Sequence, residues 1–377
     1  MKPVAVVSHP PFCMMGGGEA LSAWTMQALT RDYEVVLVCR EAVDFEAIDV
    51  RFGTALRLTP PRVVTWPRWM QILFCAWPGD GVRWQFCFQE WMLKRLARRL
   101  RVAVWISTIN ESRMPAPGVQ YVHFPEEKLP IGWAQRVYRQ VVGVLRCHGL
   151  VGPEAHRTLV NSGYTAEAYR SVCGRSAEIV YPPVPPLGEG RAWGERDAYR
   201  MICLGRLLPY KGIERIARIV EKVRAQGVPM TLTLIGAWCC SRKDRRELER
   251  ALSGYDWIEW AGVLPREKLI ERVTETRYGL HGMQGEPFGI AVAELQAAGC
   301  VVFAPAEGGP AEILDEPAQL YEDESDAVMK ILAVVRSPER QAELHARAAG
   351  RAGLFSAERF MDEMRDAARD ACSEKQT

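Results

Sequence analysis

The chain has 377 residues, too many for one ordinary core and about right for two domains. Hydrophobic residues make up 48% and charged residues 25%, the profile of a soluble globular protein, and the absence of any run of about 18 apolar residues argues against a membrane-spanning helix. The net charge of +2 is uneven: residues 1–185 carry 21 Lys/Arg against 15 Asp/Glu and residues 186–377 carry 27 against 31, so the first half suits an anionic membrane surface or anionic acceptor, a chance imbalance between domains fits equally, and nucleic acid is not an expected partner.

Met1 to Pro10 is too short and too polar at its ends for a signal peptide. It reads as a buried strand over Pro3–Ser8, followed by a loop, Gly16-Gly17-Gly18-Glu19, and a helix from Ala20 to Leu29. Three glycines let a backbone approach a ligand closely at a helix N-terminus, although a plain strand-to-helix turn has the same look. Glu34–Cys39 is a second strand. Residues 62–101 hold five of the 12 Trp and eight Lys/Arg against two acids. Trp84, Phe88, Trp91 and Arg95 fall at helical spacing there, with Lys94, Arg95, Arg98, Arg99 and Arg101 as a basic end. Two readings follow: a core-facing helix with a solvated basic face, or an amphipathic surface for peripheral membrane contact.

Val102–Ser107 is the next strand, and Gln120-Tyr121-Val122-His123-Phe124-Pro125 ends another. The His123 imidazole thus falls at a strand's C-terminal edge, where α/β folds bind ligands; a hydrogen-bonded core histidine is the alternative. Ile131–His148 reads as helix, and Thr158 to Thr165 as a strand entering a turn and a new helix, with Asn161 and Ser162 as caps. Glu178–Tyr181 closes the first domain, and residues 182–198 look like a linker because they open on Pro182-Pro183-Val184-Pro185-Pro186.

The second domain starts with a strand, Tyr199–Leu204, and a loop from Gly205 to Gly212 that opens a helix to Arg224. Arg206 and Lys211 in that loop are the paired cations that a diphosphate needs where no metal serves. Met230–Gly236 is strand, and the charges at Arg242, Lys243, Arg245 and Arg246 read as a solvated helix face. A strand and loop over Trp257–Pro265, a helix over Glu267–Glu275 and a short strand over Tyr278–Met283 lead to the most informative stretch. Gly285-Glu286-Pro287-Phe288-Gly289 is a tight loop and Ile290 to Ala298 a short helix, with Gly299 at its left-handed C-cap. Free N–H groups at that helix start make an anion site, with carboxylates at Glu286 and Glu294. Cys300–Ala304 is strand, Glu307-Gly308-Gly309-Pro310-Ala311-Glu312 a turn, and Ser325–Ala371 mostly helical, with a capping box in form at Phe355-Ser356-Ala357-Glu358. The 11 Cys include no C-x-x-C pair, and Cys39, Cys203 and Cys300 lie in apolar runs, as reduced thiols in a cytosol would.

The spacing from Glu286 to Glu294, with Pro-Phe-Gly after the first, resembles the E-x7-E motif of retaining glycosyltransferases of family 4. Arg206-x(4)-Lys211-Gly212 resembles that family's phosphate-holding motif, Gly16–Gly18 its first loop, and Trp257–Pro265 the strand that meets the donor base. Tyr121-Val122-His123-Phe124-Pro125 resembles the Tyr-Val-His-x-Pro of mannosyltransferases that extend the dolichol-linked oligosaccharide. The motifs cover nearly the whole chain in the family's order.

The resemblance implies the α/β GT-B fold: two Rossmann-like domains facing across a cleft, an acceptor-side domain over 1–181, a nucleotide-sugar domain over 199–354, and a helix over 355–377 crossing back. It implies a nucleotide diphosphate sugar, GDP- or UDP-linked, as donor, and a glycan, lipid-linked or small-molecule acceptor. Arg206 and Lys211 would neutralise the diphosphate. Glu294 would bind the ribose, and Glu286 with the Phe288 and Gly289 amides the donor sugar, flanked by Pro287 and Ile290. Val263 and Leu264 would read the base, Gly16, Gly17 and Gly18 would border the pyrophosphate, and His123 would approach from the other domain. No D-x-D pair sits at a matching place, so neither metal nor cofactor is expected. A cytoplasmic location, peripheral on the inner face of a membrane, would suit such an acceptor. An epimerase or phosphorylase on the same fold, or a non-catalytic sugar-nucleotide-binding protein, are the competing readings.

Overall fold

The computed structural model describes residues 2–10, 12, 16–76, 82–125, 149–185, 187 and 191–373, so the helix expected over 131–148 and Trp77 lie outside the described residues. The chain divides into two compact units, Met1–Pro183 with Ala357–Thr377, and Val184–Ser356.

The first unit is a parallel sheet of β1 (Val4–Ser8), β2 (Glu34–Cys39), β3 (Arg62–Thr65), β4 (Val102–Ser107), β5 (Val119–Val122), β6 (Arg157–Val160) and β7 (Glu178–Ile179), in the order β3-β2-β1-β4-β5-β6-β7. Its strands read as unbroken apolar runs because both faces are covered. Ala5, Val7, Val35 and Leu37 point to one side, into a cluster with Leu21 and Trp24 of helix Gly17–Thr30 and with Phe360 and Met364 of helix Ala357–Ser373. Val6, Val36 and Val38 point to the other, against Trp66, Met70, Met92 and Leu93.

That second side settles half of the ambiguity over residues 62–101. In helix Val82–Ala97, Phe88 and Trp91 pack against the cluster, and Gln89 reaches through it. Gln89 accepts from Trp66 Nε1 at 2.7 Å and donates to Ser8 Oγ at 2.9 Å and Val38 O at 2.8 Å, which ties the helix to the ends of β1 and β2. This helix faces the core. Helix Arg68–Ala76 differs, leaving Trp69 53%, Ile72 60% and Leu73 52% exposed.

The second unit is a parallel sheet of β8 (Asp197–Leu204), β9 (Thr231–Ile235), β10 (Ile258–Gly262), β11 (Thr276–Leu280), β12 (Val301–Pro305) and β13 (Leu320–Tyr321), ordered β10-β9-β8-β11-β12-β13. Helix Ile213–Ala225 buries Ile216, Ile219, Val220 and Val223 on one face of it. Helix Ile290–Ala297 lies on the other, where a Cβ at Gly279 of β11 would come within 2.9 Å of Leu295 Cδ1.

The stretch expected to be a linker is instead part of this unit from Val184 onward. Val184 and Leu187 are buried. Arg196 is buried too, donating to Arg191 O, Thr276 O and Ala298 O. The prolines suggested a spacer, but the arginine that follows them is needed to satisfy carbonyls at the ends of neighbouring elements.

In each sheet the strand order reverses once, between β1 and β4 and between β8 and β11. The carboxyl ends of those pairs are the crevices where open parallel sheets hold ligands.

Candidate functional site

At the reversal in the second sheet, β8 delivers Gly205 and Arg206, and β11 delivers His281. Arg206 is exposed, and no carboxylate among the described residues pairs with it. After it, Leu207 is buried and Pro209–Lys211 form one 3-10 turn. Gly212 then takes φ +71, and a Cβ there would lie 2.3 Å from Gly282 O, so only glycine lets this loop close on the β11 side. The closure places Lys211 Nζ 2.5 Å from Glu286 Oε2. His281 Nε2 stands 3.2 Å from the same oxygen, close in distance though off the line of a good hydrogen bond. His281 is buried, its N–H donating to Phe303 O and its carbonyl accepting from Tyr321 Oη.

The Glu286 side chain is only 13% exposed. Burial by itself would raise its pKa. The close approach of His281 and the charge and hydrogen bond of Lys211 more than reverse that, holding the carboxyl at about 2. Glu286 is therefore an ionised acceptor at neutral pH and cannot donate a proton.

The rest of the loop is held by backbone. Glu286 O accepts from Gly309 N at 2.8 Å, and a Cβ at Gly309 would fall 2.5 Å from Phe288 Cα, so the Gly308-Gly309 turn braces the acidic loop. The Phe288 ring is buried against Phe355, out of reach of a ligand. Gly289 caps helix Ile290–Ala297 at φ +102, a conformation closed to side chains with a Cβ. Pro287 and Ile290 are half-buried on either side of it, and Glu294 is half-buried on the second turn of that helix. Val263, 63% exposed, and Leu264 directly follow β10 at the outer edge of the same sheet.

At the reversal in the first sheet, β1 ends beside His9, β4 beside Thr108, and the neighbouring β5 beside His123. His9 Nδ1 lies 2.9 Å from Thr108 Oγ1, and His123 Nε2 lies 3.0 Å from Thr108 O. A Cβ at Gly18 would be 3.7 Å from both rings, so the glycine loop adjoins the two imidazoles. Burial pulls the His123 pKa below the usual imidazole value, with the Thr108 hydrogen bond opposing, so the ring is neutral at pH 7. In that loop the Gly16 N–H donates to Glu19 Oε2 at 3.0 Å.

The structure thus brings Lys211 to Glu286 and Gly18 to His123. Sequence reasoning missed His281, Thr108 and Asn110. The strand expected over Tyr278–Met283 ends at Leu280, which puts His281 at a carboxyl edge and was the one available signal. Asn161 meets the expectation of a structural role differently than as a cap, donating to His123 O at 2.8 Å, while Ser162 caps helix Gly163–Cys173 through Thr165 N.

The family model "Glycosyl transferases group 1" matches residues 192–351. This stretch is a group 1 glycosyltransferase domain. It contains Arg206, Lys211, His281, Glu286 and Glu294. The chain is 28% identical over 243 residues to human GDP-Man:Man(3)GlcNAc(2)-PP-Dol alpha-1,2-mannosyltransferase, covering 56% of this chain and 48% of that protein. It spans about half the length of the curated relatives it matches. Among solved structures, HepE of Anabaena in complex with UDP and glucose superposes with a TM-score of 0.69 at 14% identity, over 96% of this chain and 98% of that one. Sucrose-phosphate synthase of Thermosynechococcus elongatus gives 0.66 at 17% identity, over 99% and 100%. The group 1 domain and the unit before it therefore have the GT-B fold, two parallel-sheet α/β domains.

Proposed function

We propose that this chain is a retaining glycosyltransferase that moves a hexose from a nucleotide diphosphate sugar to a glycan, lipid-linked or small-molecule acceptor. The observation that carries the reading is the Lys211–Glu286–His281 cluster at the switch point of a group 1 domain, with an exposed Arg206 at the start of the loop that carries Lys211. Arg206 and Lys211 supply the positive charge that a diphosphate leaving group requires as its bond to the sugar breaks. Glu286, ionised at neutral pH and clamped through Oε2, accepts from sugar hydroxyls and is a poor candidate for an attacking group. That suits a transfer in which the acceptor enters on the leaving-group face and the departing phosphate takes its proton. Glu294 holds the ribose, the backbone at Val263 and Leu264 the base edge, the Gly17 and Gly18 amides the pyrophosphate, and neutral His123 a hydroxyl of the donor sugar. No step calls for a metal or a cofactor.

GDP-mannose is the first donor to test, since the curated relatives named above are GDP-mannose enzymes, and UDP-sugars are the second, since HepE was crystallised with UDP. The same relatives, named for a PP-Dol-linked glycan, support a lipid-linked acceptor, and the exposed apolar residues of helix Arg68–Ala76 support a membrane-peripheral setting, which we place on the cytoplasmic face. The test is radiolabelled transfer from GDP-mannose, UDP-glucose and UDP-N-acetylglucosamine to lipid-linked and free glycans, with the product anomer read by NMR. Retained configuration, and loss of about 100-fold or more in Lys211→Ala, is the expected result. Donor interconversion without transfer would make the chain an epimerase. Donor binding without turnover would make it a binding protein, and full activity of Lys211→Ala would displace the site.

A further inference from the structure

His123 is held by more than its place at the end of β5. Asn110, in the loop after β4, has φ +43, a left-handed backbone that non-glycine residues seldom adopt. The conformation is locked from below. Ser107 Oγ and Ser112 Oγ lie 2.6 Å apart, Ser112 donates to Ile109 O and Asn110 O, and Ser112 N donates to Gln120 Oε1. The outcome is that Asn110 Oδ1 accepts from His123 N at 2.9 Å and from Phe124 N at 3.4 Å. From the opposite side Asn161 Nδ2 donates to His123 O at 2.8 Å. The ring itself meets Thr108 O, two residues before Asn110.

We infer that Asn110 is the positioning residue for His123, its strained turn fixing the backbone so that the ring presents one tautomer. A carbonyl oxygen only accepts, so His123 Nε2 carries the proton and Nδ1 keeps the lone pair. A sugar hydroxyl would then donate to Nδ1, and this last consequence rests on the donor-sugar role proposed for His123. Backbone strain concentrates where a site must be held in one geometry, and here the strained residue is the one that grips the histidine. The turn also explains why Thr108 can serve the ring while Asn110 serves the peptide: the chain doubles back on itself within three residues.

The experiment uses the full chain with 15N-histidine, His123→Gln identifying the His123 signals. Asn110→Gly keeps the left-handed backbone and deletes the acceptor, Asn110→Asp keeps an acceptor, and Asn161→Ala releases the opposite side. Wild type is expected to show a bare Nδ1 and a protonated Nε2. Asn110→Gly and Asn161→Ala are expected to show a mixture of tautomers, with kcat for transfer down tenfold or more and the donor KM changed less than threefold. Asn110→Asp is expected to restore the single tautomer and most of kcat. A protonated Nδ1 in wild type, or an Asn110→Gly protein with the wild-type ring signature, overturns the inference. A wild type inert toward every donor overturns the proposed function instead, and the ring signatures still decide the positioning.

Discussion

Glu286 gathers two partners on a single oxygen, and its ionisation carries a stability consequence. Its folded pKa, about 2, lies below the ordinary 4.5. A depressed carboxyl pKa stabilises the fold fully above the unfolded value and loses that contribution as pH falls through the folded one. The window is thus pH 4.5 down to 2, with a contribution on the order of 3 kcal/mol. The Glu286→Gln protein is expected to be less stable than wild type at pH 7, where Lys211 loses its counter-charge, and the gap should close towards pH 2. Urea unfolding across that range checks it, and a constant gap would mean the carboxylate is not specially held. The meeting of Lys211 and Glu286 was legible in the chain because both charges sit in glycine-bounded loops at strand ends. His281 and Asn110 were not. One is an ordinary strand-end residue until Glu286 folds back towards it, and the other depends on a φ value that a sequence does not display.

At the scale of elements, strands buried on both faces announce themselves as apolar runs, which is why β2 and β4 were readable to the residue. Residues 62–101 resisted because aromatic and basic residues at helical spacing describe a core helix and a surface helix equally well. What separated them is packing: Gln89 needs the ends of β1 and β2 as partners, and no local pattern reveals that. Helix Arg68–Ala76 leaves a stripe of Trp69, Ile72 and Leu73 in water, at the i, i+3, i+4 spacing of one helix face. Trp69 packs edge-on to Trp91, over which Arg95 lies, so cation and apolar surface adjoin. This is the composition of an interfacial helix. Wild type is expected to co-sediment with vesicles rich in anionic lipid at low salt. The Trp69→Ser/Ile72→Ser/Leu73→Ser protein should lose at least tenfold in binding and still fold, with a lowered melting temperature, because more than half of each side chain is already in water. Equal binding by both proteins would leave the stripe as ordinary surface.

At the scale of the molecule, the feature with the widest reach is that the first unit is completed by the last helix. Helix Ala357–Ser373 belongs to the unit that begins at the N-terminus, packing on β4, β5 and helix Gly17–Thr30, with Phe360 and Met364 fully buried. The intervening residues Val184–Ser356 form a unit with its own core. Stability should therefore divide in a way that ignores sequence distance. Phe360→Ala removes a fully buried ring and is expected to cost the first unit about 3–5 kcal/mol. The second unit, though nearer in sequence, should be untouched. Urea unfolding followed by hydrogen exchange resolves this: protection should fall in β1, β2 and helix Gly17–Thr30 and stay level in β8, β9 and β11. A loss shared equally by both sheets would show that the two units unfold as one body. A loss confined to the second would place the helix on the wrong core. Because the covering helix follows the whole second unit in the chain, the first sheet must wait with part of one apolar face open until that unit has been made. Truncation at Ser356 should accordingly yield a chain that aggregates through its first unit while the second still folds.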